Sequence, residues 1–269
     1  MAHVIYDNFY LSNEVEDQFD SHLDMMRFCT VDKSLEGTDG MKRMINVYTA
    51  TDGTEKLAMG EGNSKSIEVG YTQREYEIQL AQNRFEWYDE QAMRDPMLVP
   101  VGMKHAGTDM FNTVNGDVFG EFKKGTLTHE TAAFNSDAFA DGLAKLALPE
   151  NKEGVEVFGW VNAKVKAELR KNLKDELKYV EAFARSGYVG TIYGVNLYDK
   201  RNADDNEICI GTRKAVTAFT KKGTSVELIT EGTRSAEDGN IRKNTAFSRK
   251  YYVVALTDET QVCRIIKTA

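Results

Sequence analysis

The chain has 269 residues, of which 41% are hydrophobic and 28% charged; 42 Asp and Glu against 34 Lys and Arg give a formal net charge of −8. That balance excludes an intrinsically disordered or membrane-embedded chain, and the length suits one large domain or two modest ones. The acidic excess argues against a dedicated DNA-binding protein, which needs a basic surface to neutralise phosphates, but does not exclude a protein that encloses nucleic acid.

No apolar run approaches the ~20 residues a membrane helix requires. The stretch Met1–Asp7 has neither the basic start nor the apolar core of a signal peptide, so a cytosolic place of synthesis is expected. Cys29, Cys209 and Cys263 are scattered and form no C-x-x-C pair. This points to free thiols in a reducing compartment rather than to disulfides or a zinc site.

In chain order, residues 1 to about 38 read as polar and irregular. Leu11, Val15, Phe19 and Leu23 recur at every fourth position, which suits a short amphipathic helix. Gly37-Thr38-Asp39-Gly40 then punctuates the chain. Two readings stay open, a mobile terminus or an arm that orders only against a neighbouring subunit.

Residues 41–88 alternate as strands do. Met41, Arg43, Ile45, Val47 and Thr49 share one face and Met44 and Tyr48 the other; alternation resumes at Ile67, Val69, Tyr71, Tyr76, Ile78 and Leu80, and Phe85 and Trp87 make a further short run. Gly60-Glu61-Gly62-Asn63 is the natural hairpin tip. Arms of about 15 residues would reach ~50 Å, whereas a compact chain of this size has a radius of gyration of roughly 18 Å. Such a hairpin protrudes, and an isolated two-stranded ribbon is marginal in water. It needs something outside its own domain to lie on, and an identical subunit is the simplest candidate.

Residues 99–124 read as one long helix striped by Met103, Ala106, Met110, Val114, Val118 and Phe122, with Phe111 and Phe119 beside the stripe and Pro100 in the first turn. Gly102, Gly107, Gly116 and Gly120 each weaken it by about 1 kcal/mol relative to alanine, so packing must hold it, with the glycines serving close approach. A shorter helix follows over 136–148, capped by Ser136, with Phe139, Leu143 and Leu146 on its apolar face. Val155–Val161 reads as a buried strand. Asn162 caps a helix striped by Val165, Leu169, Leu173, Leu177 and Val180, which ends by Gly187. The last third is strand-rich: Ile192–Tyr198, Ile208–Phe219, Ser225–Thr230, Thr245–Leu256 and Val262–Ile266. This order is α+β and not a doubly wound sheet.

No chemistry converges. His3, His22, His105 and His129 lack any metal-ligand spacing, and no G-x-S-x-G is present. Gly60–Ser66 lacks the spacing of a phosphate loop and is not followed by a helix; Gly187, Gly190 and Gly194 precede a strand. No catalytic residue, cofactor site or metal site is expected, and the chain does not read as an enzyme.

Four stretches carry a resemblance: Val47-Tyr48-Thr49-Ala50 through Leu57-Ala58-Met59-Gly60-Glu61-Gly62-Asn63; Phe85-Glu86-Trp87-Tyr88-Asp89-Glu90-Gln91-Ala92-Met93; Trp160-Val161-Asn162-Ala163-Lys164; and Gly190-Thr191-Ile192-Tyr193-Gly194-Val195. With the element order, they resemble the major capsid protein of tailed bacteriophages, the Hong Kong 97-type fold, and most of all siphophages of Gram-positive hosts. The resemblance implies an N-terminal arm (1–40), an extended β-hairpin loop (41–88), a peripheral domain with a long spine helix (89–135), an axial domain (136–224) and closing strands of the peripheral domain (225–269). It implies self-assembly into pentamers and hexamers of an icosahedral head that encloses double-stranded DNA without sequence-specific binding. It further implies a location in the virion after assembly in the host bacterial cytoplasm, with a portal and a decoration protein as further partners. Many relatives carry an N-terminal scaffolding segment; this chain starts almost at the arm, so a separate scaffolding protein is expected. Some relatives cross-link a loop lysine to a neighbour's asparagine, for which Lys56 and Lys65 would be donors and Asn240 or Asn244 the acceptor. Two other structural roles compete, an encapsulin-like compartment shell and a tail-tube or head-closure protein.

Overall fold

The computed structural model describes residues 23–146, 148, 155–172, 188–230 and 234–268. Its strands are β1 (Thr30–Asp32), β2 (Lys42–Ala50), β3 (Val69–Glu77), β4 (Gln79–Tyr88), β5 (Leu127–Thr131) and β6 (Val157–Val161), then β7 (Tyr188–Ile192), β8 (Val195–Asp199), β9 (Glu207–Thr212), β10 (Val216–Ile229), β11 (Lys243–Leu256) and β12 (Val262–Lys267). Its α-helices are α1 (Asp89–Arg94), α2 (Leu98–Phe122), α3 (Ser136–Ala144), α4 (Ala163–Asn172) and α5 (Ala236–Asn240). The strands form a four-stranded sheet ordered β1-β10-β11-β4, a six-stranded sheet ordered β5-β12-β9-β6-β8-β7, and a separate two-stranded ribbon, β2-β3. The architecture is α+β, as expected.

α2 joins the two larger sheets. Val114, Val118, Phe119 and Phe122 on its second half meet Phe158 and Trp160 of β6 on one side and Ala218, Tyr252 and Val254 of the four-stranded sheet on the other. Met25 and Phe28, from the 3-10 helix Met25–Phe28, plug the same cluster; each such burial stabilises by roughly 1.5–3 kcal/mol. Part of the region expected to be irregular thus joins the core, through Met25, Phe28, Cys29 and Leu35. Its Met25 N–H donates to the buried Asn115 side chain at 2.9 Å, and β1 runs parallel to β10. The spacing of Leu11, Val15 and Phe19 lies outside the described residues, as do Leu173, Leu177 and Val180.

A second cluster covers the other face of the six-stranded sheet, where Phe139 of α3 and Val165 and Leu169 of α4 pack on Val157, Val161, Ile208, Ile210 and Ile265. Because β6 is covered on both faces, all five of its residues are buried, which is why it reads as an unbroken apolar run.

α2 matches the expected helix, but no residue before Met110 is buried. Its first half is held by contacts with β4. Asn83 Nδ2 donates to the Ala106 carbonyl at 2.7 Å, and the Phe85 ring sits so close beneath Gly102 that a Cβ there would lie 2.2 Å from Cζ. Close approach therefore explains Gly102; Gly107, Gly116 and Gly120 face open space, contrary to expectation.

Several boundaries differ from the sequence reading: the run Ile208–Phe219 is divided between β9 and β10 at 213–215, and the helix expected over 136–148 ends at Ala144. Asn135, not Ser136, caps α3, its Oδ1 accepting the Ala138 N–H at 3.0 Å. Ile192–Tyr198 is two strands, β7 and β8, folded about Tyr193-Gly194, both with positive φ. The runs ending at Phe219 and beginning at Ser225 are one strand, β10, whose register shifts around Lys222 absorb Lys221–Thr224 as an irregularity. The expected division after residue 224 falls inside this strand, and β12 sits between β5 and β9 in the six-stranded sheet.

Candidate assembly surfaces

The β2–β3 ribbon is the most exposed element of the fold. Nine residue pairs hold it in antiparallel register, from Lys42↔Glu77 to Ala50↔Val69. At ~3.4 Å per residue the ladder spans about 30 Å, shorter than the arms expected from the sequence. Beyond it, Asp52-Gly53-Thr54-Glu55-Lys56 has poor strand propensity, and the chain turns to side-chain hydrogen bonds. Asn63 Nδ2 donates to the Gly53 and Lys65 carbonyls (3.3 and 2.7 Å), and Glu55 accepts the N–H and hydroxyl of Ser64, both at 2.8 Å. The Ser64 N–H holds the Glu55 carboxyl below its ordinary range. The tip is thus internally organised, with Gly60 at φ 90° in its turn.

The ribbon is anchored only at its base. Ile45 and Tyr76 pack against the cluster of Leu35, Ile78, Phe219 and Ala255, Tyr76 stacks on Phe219 with centroids 5.1 Å apart, and Arg74 donates to the Thr257 carbonyl at 3.3 Å. The chain changes sheets at the buried Ile78, whose N–H donates to the Met41 carbonyl at 2.7 Å. Past that anchor, one face lines up Met44, Tyr48, Tyr71 and Val69, which are 54%, 65%, 67% and 64% exposed. Tyr48 and Tyr71 are direct cross-strand partners with ring centroids 6.1 Å apart. At the tip, Leu57, Met59 and Ile67 are exposed as well. Among the described residues no further strand pairs with the outer edges of β2 and β3, so apolar side chains and backbone groups are both left for water or a partner.

The far end of the four-stranded sheet offers a second surface. Val226 and Leu228 on β10 and Ile241 after α5 are exposed. This end is clipped to the start of α1: Arg234 Nη2 donates to both Asp89 oxygens at 2.8 and 3.0 Å, and Asn244 Nδ2 donates to Asp89 Oδ1 at 2.6 Å. The Asn244 carbonyl accepts from Arg234 in turn, at 2.6 Å from Nη2. The Asn244 amide, with the Arg234 guanidinium, holds the Asp89 carboxyl below its ordinary range. Ion pairs Arg242–Glu90 and Lys243–Glu86 flank the clip. A third exposed point is Tyr193 at the β7–β8 turn.

The side chains bearing possible chemistry are not brought together. Cys29, Cys209 and Cys263 are free and buried, and burial pushes the Cys29 thiol up to about 11 and the Cys209 thiol higher. Among the described residues no three His, Cys, Asp or Glu side chains converge as metal ligands. His129 lies 3.7 Å from Asp141 at the surface. Of the cross-linking candidates, Lys56 and Lys65 are exposed on the tip and Asn240 is exposed after β10. Asn244 is 4% exposed and committed to the clip. No helix among the described residues is long and apolar enough to cross a membrane.

No family model and no curated protein matches the chain. Solved structures do. A structure described as Gordonia phage Cozz superposes with a TM-score of 0.70 at 10% identity, over 93% of this chain and 88% of that one. The capsid structure of the cyanophage P-SCSP1u gives 0.67 at 11%, over 90% and 86%. A virus-like particle from Pyrococcus furiosus gives 0.58 at 14%, over 97% and 100%. The chain therefore has the fold of phage capsid subunits, the Hong Kong 97-type α+β fold.

Proposed function

We propose that this chain is the major capsid protein of a tailed bacteriophage, assembling into pentamers and hexamers of an icosahedral head around double-stranded DNA. The observation that carries the proposal is the ribbon: an ordered hairpin, anchored at its base, whose apolar face finds no cover among the described residues. The fold shared with phage capsids supports it. Function is then burial and shape rather than chemistry. Each stable contact between copies removes roughly 1,200–2,000 Å² from water, and the ribbon supplies part of that area.

By this reading residues 41–88 are the extended loop, residues 89–135 with most of 225–269 the peripheral domain, and residues 136–224 the axial domain, with β12 joining the axial strands. Residues 1–40 are the arm. The net charge of −8 fits a wall that holds DNA without sequence-specific contacts. In this proposal a separate scaffolding protein, a portal and a decoration protein complete the assembly in the host cytoplasm, and the resemblance of the hairpin sequence supports a siphophage of a Gram-positive host.

A compartment shell with cellular cargo is the second reading, favoured by the full coverage of the Pyrococcus furiosus particle subunit. Electron microscopy and content analysis of purified particles test both. Closed shells packed with DNA in infected cells support the capsid reading. Shells with a protein cargo support the second, and rings or tubes without closed shells contradict both.

A further inference from the structure

Two strand edges of this chain stand open, and the hydrogen-bond pattern shows which residues they offer. The Thr51 N–H donates to the Glu68 carbonyl at 3.0 Å and the Ile78 N–H to the Met41 carbonyl at 2.7 Å, one step beyond either end of the β2–β3 ladder. Antiparallel pairs alternate between bonded and non-bonded, so the odd-numbered residues of β2 bond to β3. Met44, Asn46, Tyr48 and Ala50 therefore point their backbone N–H and C=O groups at the outer edge. In β4, the Asp89 N–H donates to the Arg242 carbonyl at 3.2 Å, one step beyond the Tyr88↔Lys243 pair. By the same alternation Leu80, Gln82, Arg84 and Glu86 point their backbone groups away from β11. Tyr88 agrees with this, since its outward N–H donates to the Gln91 side chain at 3.2 Å. Among the described residues no strand pairs with either edge.

Neither edge carries the usual defences. β4 runs for ten residues against β11 in unbroken register and contains no proline or lysine. β2 has no charge, proline or glycine from Met44 to Ala50, and Ile45, Val47 and Tyr48 favour strands. The outer edge of β3 is less suited, because Gly70 weakens it and Glu75 and Glu77 guard its base. β2 is also kept from β4 of its own subunit. β3 passes into β4 through the buried Ile78 alone, and Ile45 and Tyr76 hold the base of the ribbon against Phe219 and Ala255. Folding the ribbon back along β4 would pull out that anchor, so the matching edge belongs to a second copy.

We propose that β2 of one copy adds to the free edge of β4 of the next, antiparallel, with Met44–Ala50 against Leu80–Glu86. This rests on the shell reading above and specifies one of its contacts. Residues opposite one another in such a pair share a face. Met44 and Tyr48, 54% and 65% exposed, come to lie with Leu80, which is 47% exposed. Val47 turns to the α2 side, where a cleft of about 630 Å³ borders Gln79, Ala81, Gly116 and Gly120. The contact joins two different edges, so its repetition makes a ring when the rotation closes. Backbone bonds supply the adhesion and alternate side chains the register.

Proline at an outward position tests this, because it removes a donor that the subunit's own ladder does not use. Asn46→Pro and Arg84→Pro should each leave the urea midpoint close to that of the parent chain. Each should raise the concentration at which sedimentation velocity detects assembly on the order of tenfold, through the backbone bond lost at every contact. A folded proline chain that assembles at the parent's concentration overturns the edge pairing and leaves the shell reading standing. A parent chain that never assembles overturns both. Should the proline chains fail to fold, cysteine pairing decides, since the native Cys29, Cys209 and Cys263 are buried. Asn46→Cys chains are co-assembled with Leu80→Cys, Gln82→Cys or Arg84→Cys chains and oxidised. A disulfide between unlike chains is expected in one of the three mixtures. Disulfides only between Asn46→Cys chains, or none in any mixture, overturn the proposal.

Discussion

Replacing Tyr48 and Tyr71 together by serine separates assembly from folding. A tyrosine side chain buries about 150–250 Å², and these two are 65% and 67% exposed, so each leaves roughly 130 Å² for a partner. At ~25 cal/mol per Å² the pair would contribute up to about 6 kcal/mol when fully covered, and about 3 kcal/mol when half covered. The lower figure corresponds to an association constant reduced on the order of 100-fold. Within the free subunit the loss is limited to the Tyr48–Tyr71 cross-strand contact, about 0.5–1 kcal/mol, because the base anchored by Ile45 and Tyr76 stays intact. Urea denaturation of the subunit reads the first number, and sedimentation velocity across a concentration series reads the second. The expected result is near-normal folding with assembly shifted to much higher concentration. An unchanged assembly threshold would refute the reasoning, as would a subunit that unfolds outright.

Other consequences follow from single positions. Gly102→Ala places a methyl group 2.2–2.5 Å from Phe85 ring atoms, so about 1–3 kcal/mol of stability is lost; Phe85→Leu in the same chain should recover part of it in a double-mutant cycle by urea melts. Gly116→Ala and Gly120→Ala meet nothing and should each add about 1 kcal/mol to the free subunit through helix propensity; if either instead obstructs assembly, that face of α2 is an interface. Asp89 has its folded pKa depressed below 3.8 by Asn244 and Arg234. A depressed carboxyl stabilises above the unfolded value, and that stabilisation disappears as pH falls through the folded one. Wild-type stability should therefore drop more steeply below about pH 4 than that of Asp89→Asn, measured as urea midpoints across pH.

Much of this was legible in the sequence because periodicity is a local signal. The alternation of Arg43, Ile45 and Val47 reports a strand, the stripe of Met110, Val114, Val118 and Phe122 reports a buried helix face, and β2 and α2 lie where they indicate. The short apolar group Met25-Met26-Arg27-Phe28 gave no period, yet it plugs the central cluster. Lys221-Lys222-Gly223-Thr224 carries the chemistry of a turn, but pairing along β11 carries β10 through it with a bulge; a partner strand overrides local propensity. Arms of about 15 residues overshoot the observed ladder of β2 and β3, because side-chain hydrogen bonds such as Glu55–Ser64, which organise the chain beyond it, leave no periodic trace. The clip of Asp89, Arg234 and Asn244 joins residues 145 and 155 positions apart, and the burial of Lys200 beside Phe119 appears only in the folded chain. Neither has a signature along the chain.

The most direct measurement is a cryo-electron microscopy reconstruction of particles formed by the full chain. The account requires a closed shell in which the face bearing Met44, Tyr48, Val69 and Tyr71 lies against another copy. Particles that leave this face in water, or a subunit whose ribbon bends back to cover it on its own body, would contradict the account.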